Sequence, residues 1–154
     1  MDANGTPSTK SQWLKDLLNG FVVWVIAFLL YIIPAFVVAF RMAFDLGPKL
    51  KDSAQVGSLI GPAISGMYRT NPYLFPGYMA ILAALIFWRS RVVCRTVAGR
   101  PLVHGAVVAV IPVAVGVWQF VSWNGAPGAM MAIVVFLAAG MAGGWQGTAA
   151  QRAP

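Results

Sequence analysis

The chain has 154 residues, of which 59% are hydrophobic and 10% charged, with 11 basic residues, 4 acidic ones and a single cysteine. A soluble domain usually carries about 25% charged residues, so this composition excludes an ordinary soluble fold. One cysteine excludes an internal disulfide, and the lack of a basic region outside the apolar blocks argues against nucleic-acid binding. We therefore expect an all-α integral membrane protein.

The first apolar block covers residues 21–40 and contains no charged residue. Twenty helical residues are enough to cross a hydrocarbon core of about 30 Å. The block is longer than a signal-peptide core and is not followed by a small-residue cleavage site. We predict that residues 1–20 are a polar cytoplasmic leader with a short interfacial helix from Ser11 to Leu18, and that residues 21–40 are a retained first span.

Residues 41–72 mix polar and apolar character. The apolar part, residues 55–68, would reach only about 21 Å as a helix, which is short for a crossing. We predict a re-entrant or surface-lying segment, with a short fifth span as the alternative.

Three further apolar blocks cover residues 73–88, 102–123 and 129–145, and a polar tail covers residues 146–154. Together with residues 21–40 they predict a four-helix transmembrane bundle within one transmembrane domain, residues 21–145. The turn at residues 124–128, Asn-Gly-Ala-Pro-Gly, separates the last two spans.

The loop at residues 89–100 determines the predicted orientation. It carries Arg89, Arg91, Arg95 and Arg100 and no acidic residue, and basic loops stay in the cytoplasm. Four spans then place both termini in the cytoplasm, whereas a fifth span would move the amino-terminal lysines outside. The excess of Ala, Gly, Val and Arg is typical of a bacterial chain, so we expect the bacterial inner membrane.

The side chains that could carry chemistry are few. His104 is the single histidine, at the predicted cytoplasmic start of the third span, where it acts as a proton relay or haem ligand or is simply an interfacial residue. Cys94 is either reactive or an ordinary thiol. No charged residue lies in the middle of a predicted span, which argues against proton-coupled transport. We therefore predict no catalytic residue, no metal site and no cofactor.

Small residues recur at four-residue spacing, which lets helix backbones approach closely. Such pairs predict helix packing, either within the chain or against another subunit, at Gly57 and Gly61, Ala80 and Ala84, and Gly140 and Gly144. The four arginines of the loop are predicted to contact anionic lipid headgroups or an acidic partner.

The expected function is non-enzymatic: an accessory or structural subunit of a larger membrane complex of secretion, conjugation or respiratory type, or an immunity or exclusion protein. One alternative is a small homo-oligomeric channel or carrier for a neutral or apolar solute. A further alternative is a membrane enzyme that acts on lipid through His104. The expected partners are the bilayer, other membrane subunits or further copies of the chain, and not nucleic acid.

Overall fold

A computed structural model describes residues 9–46, 53–71, 73–96 and 100–152, and every regular element in these ranges is an α-helix. The bounds are Thr9–Leu46 for α1, Ser53–Thr70 for α2, Leu74–Cys94 for α3 and Pro101–Arg152 for α4. The all-α prediction is therefore confirmed for the part of the chain that the structure describes.

Gly125 divides α4 into two helical arms. Its backbone has φ 66° and ψ −161°, a left-handed conformation that glycine adopts without a steric penalty. Pro127 follows, and its missing N–H cannot continue the hydrogen-bond pattern across the break. We call residues 101–124 the first arm and residues 126–152 the second arm, and the predicted turn at residues 124–128 falls at the break between them.

Four stretches are long and apolar enough to cross a membrane, namely Ser11–Asp45, Leu74–Cys94, Pro101–Trp118 and Gly125–Ala149. This finding confirms four candidate membrane spans. The structure differs in where the first helix begins, because α1 starts at Thr9 and runs without interruption through the predicted interfacial helix. Its 38 residues reach about 57 Å, almost twice the hydrocarbon thickness, so α1 is longer than one crossing needs.

The predicted re-entrant segment, residues 55–68, lies inside α2. This helix has 18 residues and contains Pro62, and it is not among the four stretches that qualify as candidate spans. A helix of this length reaches about 27 Å.

The chain forms two units, one of residues 1–25 and 79–154 and the other of residues 26–78. In the first unit, fully buried side chains from α3 and both arms of α4 make the core, namely Leu82, Ile86, Val108 and Phe136. In the second unit, the rings of Tyr31 and Tyr78 meet edge to face with centroids 5.6 Å apart. That unit also has an open apolar groove of about 450 Å³ lined by Phe36, Ala39, Phe40, Ala43, Phe44 and Ile60.

Candidate functional site

The amino-terminal part of α1 carries an acidic residue on its buried face. Asp16, Gly20, Val23 and Ala27 are buried and follow one another at intervals of four, three and four residues. This spacing places all four side chains on one side of the helix. Asp16 is only 1% exposed, which is rare for a carboxylate that has no partner.

The partner of Asp16 is His104, in the first turn of α4. Nδ1 of His104 lies 2.5 Å from Oδ2 of Asp16, and the two side chains are 7% and 1% exposed. When the imidazole is protonated the pair is an ion pair, and when it is neutral the ring N–H still donates to the carboxylate. In both states a charged group that would be costly to bury alone has a partner.

Trp13 covers the same imidazole from α1. The indole and imidazole rings are nearly parallel, with an interplanar angle of 19° and centroids 5.0 Å apart. Trp13 precedes Asp16 by three residues, so both side chains reach His104 from one side of α1. The two contacts fix the imidazole in orientation and shield it from solvent. We call Trp13, Asp16 and His104 the buried triad.

A second set of polar contacts lies about one helical turn further along α1. Nε of Arg89 donates to Oδ1 of Asn19 at 2.7 Å, and Nδ2 of Asn19 donates to the carbonyl of Lys15 at the same distance. Ser90 is buried, and its hydroxyl donates to the carbonyl of Gly105 at 3.4 Å. These contacts tie α3 to α1 and to the first arm.

The end of α3 meets the start of α4. The thiol of Cys94, which is fully buried, lies 3.5 Å from the carbonyl oxygen of Pro101. The carbonyl of Arg100 then accepts from the backbone N–H groups of Val103 and His104, at 3.1 Å and 3.2 Å. Arg100 therefore caps the first turn of α4, with a positive φ of 36°.

Glycines make the helix contacts around the triad very close. A Cβ on Gly20 would collide with the carbonyl oxygen of Val108. That carbonyl belongs to the residue four positions before Pro112, which has no N–H to donate to it. The glycine therefore lets α1 approach the first arm at a backbone position that the proline leaves unpaired within its own helix.

The second arm has two glycine pairs, and each pair packs against a different neighbouring helix. Cβ atoms on Gly140 and Gly144 would collide with the carbonyl oxygens of Gly105 and Pro101 in the first arm. Cβ atoms on Gly143 and Gly147 would come too close to the carbonyl oxygens of Phe87 and Arg91 in α3. The second arm thus packs its backbone directly against both helices.

The remaining small residues singled out in the sequence lie elsewhere. Ala80 and Ala84 are exposed on α3. A Cβ on Gly61 would meet no atom within 4 Å, and Gly57 lies outside the residues whose surroundings the structure describes.

The arginines of the predicted loop separate into different surroundings. Arg89 contacts α1, Arg91 is partly buried, and Arg95 and Arg100 are exposed. His104 lies in the buried triad.

Asp16 and Trp13 are not among the predicted site residues, because both precede the predicted first span. Two signals pointed to them. The four-three-four spacing of residues 16, 20, 23 and 27 continues the helical pattern upstream of residue 21, and the single histidine needs a polar partner if it is buried.

The arrangement limits the chemistry that the triad can support. A general base must touch the proton it removes, and His104 is covered by Trp13 and buried. The nearby Ser90 hydroxyl donates to a backbone carbonyl. Among the described residues, no group of three His, Cys, Asp or Glu side chains is placed to hold a metal ion. The contacts of Asp16 and Trp13 with His104 join α1 to the first arm of α4.

Comparisons with protein-family models, with curated proteins and with solved structures gave no match to this chain.

Proposed function

We propose that the chain is a non-enzymatic integral membrane protein that serves as an accessory or structural subunit of a larger membrane complex, of secretion, conjugation or respiratory type. An immunity or exclusion protein that blocks a membrane-acting partner belongs to the same class. The observation that carries the proposal is a contrast. The polar side chains around the triad contact one another, while the long first helix keeps its large apolar side chains exposed.

The burial of the four candidate spans makes this contrast quantitative. Only 11% of the most apolar window of α1 is buried within the chain, against 28–33% for the other three. Its exposed side chains include Phe36, Val37 and Phe40, each at least 60% exposed. An apolar helix face with few partners of its own suits contact with lipid or with the helix of another subunit.

The polar contacts of the first unit support the proposed orientation. Asp16 contacts His104 and Asn19 contacts Arg89, and the backbone at Gly147 packs close to the carbonyl of Arg91. These contacts bring one end of each helical segment of that unit together. The start of α1, the end of α3 and the end of the second arm then share one side, which we take as the cytoplasm by the distribution of basic residues. We place the chain in the bacterial inner membrane, with α2 re-entrant or on the outer surface.

The test is site-specific photocrosslinking in the native host. A photoreactive residue at Val37, which is 62% exposed, is compared with one at Val23, which is 2% exposed. We expect Val37 to capture a distinct polypeptide that also co-purifies in mild detergent at a fixed stoichiometry, and Val23 to capture none. Capture of only further copies of the chain would replace the proposal with the homo-oligomeric channel or carrier.

A membrane enzyme that acts on lipid is the second candidate. One observation favours it: His104 has an orienting carboxylate, as histidine bases in enzymes have. The low exposure of the imidazole weighs against it. A His104→Asn strain that retains the protein and shows an unchanged lipid composition would remove this candidate.

A further inference from the structure

Helix α3 has two faces of different character. Its inner face is buried and consists of Met79, Leu82, Ile86, Ser90 and Cys94. The opposite face is exposed except for partly buried Arg91, and its residues from Ile81 onward recur every three or four positions. We call this opposite face the lipid face; it consists of Ala80, Ile81, Ala84, Trp88, Arg91 and Arg95.

One end of the lipid face carries two arginines, Arg91 and Arg95, and one of their donors has no acceptor among the described residues. Nε of Arg91 is buried and has no hydrogen-bond partner among the described residues. The ion pair found in the described part of the chain joins Asp16 and His104, so it neutralises neither Arg91 nor Arg95. Arg89 differs, because Asn19 accepts its Nε–H. A buried guanidinium donor is normally satisfied, and an anion is its strongest acceptor.

The other residues of the lipid face indicate which anion fits. Trp88 is 56% exposed and lies between the arginines and the apolar part, as tryptophans at membrane interfaces do. Beyond it, the small side chains of Ala80 and Ala84 leave room along the helix. An apolar partner helix would fill that room and leave the Arg91 donor unsatisfied.

We propose that the lipid face binds one anionic phospholipid of the leaflet at the arginine end of α3. Arg91 and Arg95 donate to its phosphate oxygens, Trp88 lies at the level of the glycerol region, and an acyl chain follows Ala80, Ile81 and Ala84. This assigns headgroup contact to two of the four loop arginines. It does not depend on whether the chain is a subunit of a complex.

The test uses the full chain in a mild detergent and native mass spectrometry. Phosphatidylglycerol and phosphatidylcholine are titrated separately onto the chain and onto Arg91→Gln/Arg95→Gln. We expect the double variant to bind phosphatidylglycerol about 30-fold more weakly, from roughly fivefold per arginine near the membrane surface. Phosphatidylcholine binding is expected to be weaker at the start and to change little.

Lys15→Gln/Arg41→Gln is the matched control. It removes the same charge from two exposed side chains outside the lipid face and is expected to bind phosphatidylglycerol as the unmodified chain does. Trp88→Ala keeps every charge and is expected to weaken binding severalfold. If the glutamine variant does not remain monodisperse, Arg91→Lys/Arg95→Lys replaces it, and we expect intermediate binding because lysine loses the bidentate contact.

Three results would overturn the proposal. Equal weakening by the control pair would mean attraction by net charge alone. Displacement of phosphatidylglycerol by millimolar inorganic phosphate would mean a free-phosphate site. Unchanged lipid binding together with loss of a co-purifying polypeptide in the arginine variant would mean that the face contacts a protein.

Discussion

Asp16→Ala tests whether the buried pair fastens α1 to α4. The change leaves His104, which is 6% exposed, without its carboxylate partner. Removing one member of a buried pair costs about 3–5 kcal/mol. We expect the lower end, about 3 kcal/mol, because the stacking contact between Trp13 and the imidazole remains. His104→Ala instead leaves the Asp16 carboxylate buried without its partner, and we expect it to lower the unfolding free energy by a similar amount.

The double variant measures the interaction between Asp16 and His104 apart from the contacts that each side chain makes with other residues. Asp16→Ala/His104→Ala removes both partners of the 2.5 Å contact between Nδ1 and Oδ2, so neither is left buried without a partner. Its cost is expected to be well below the sum of the single variants, with a coupling free energy of about 2 kcal/mol.

The assay is equilibrium unfolding in mixed micelles of mild detergent and sodium dodecyl sulfate, followed by circular dichroism. Lys15→Ala is the control, since Lys15 is exposed on the same helix turn, and we expect a change below about 0.5 kcal/mol. Additivity of the two single variants within about 0.5 kcal/mol would refute the pairing.

Three further predictions concern packing, accessibility and topology. Gly144→Ala places a Cβ against the Pro101 carbonyl, and we expect it to lower the unfolding free energy by about 1–3 kcal/mol. Gly61→Ala is the control and is expected to change that free energy by less than about 1 kcal/mol, since a Cβ there would meet no atom within 4 Å. Equal costs would contradict the close contact at Gly144. In the unmodified chain, Cys94 is expected to react with maleimide only after unfolding, because the thiol is buried. In Gly144→Leu the new side chain would push on the thiol, and we expect labelling at least about tenfold faster than in the unmodified chain. Rapid labelling of the unmodified chain would show that the thiol is not covered. The orientation is tested with a membrane-impermeant maleimide in a Cys94→Ser background. We expect Tyr73→Cys to be labelled in intact spheroplasts and Thr96→Cys to be labelled only after permeabilisation. Labelling of Thr96→Cys in intact spheroplasts, with Tyr73→Cys protected, would reverse the predicted orientation.

The helical fold and the number of candidate spans could be predicted from the sequence because apolar length is a strong signal. The blocks at residues 21–40 and 129–145 lie within candidate spans of the structure. The block at residues 73–88 begins one residue before its span, and the block at residues 102–123 extends past the end of its span at Trp118. The beginning of α1 could not be placed in this way. Lys10, Lys15 and Asp16 lower the local hydropathy, but their spacing still suits a helix, and hydropathy alone does not separate a polar leader from a helical extension.

The candidate site was less predictable than the fold, because its residues are far apart in the chain. His104 was singled out because the chain has one histidine, but its partner lies 88 residues away. The spacing of Gly140 and Gly144 indicated close helix packing, but it did not indicate which helix they pack against. Gly105 and Pro101 lie opposite them.

The position of the glycine pairs in the second arm has a consequence for biogenesis. The second arm is translated after α3 and the first arm, and its two pairs fit against both of them. Until it is inserted, the backbone carbonyls of Phe87, Arg91 and Pro101 lack the neighbour that covers them in the finished protein. The close packing of the first unit therefore waits until the second arm has been made and inserted, and a pause in synthesis before that point would leave α3 and the first arm without this neighbour. During that interval the nascent chain depends on insertion factors or on lipid to cover those surfaces.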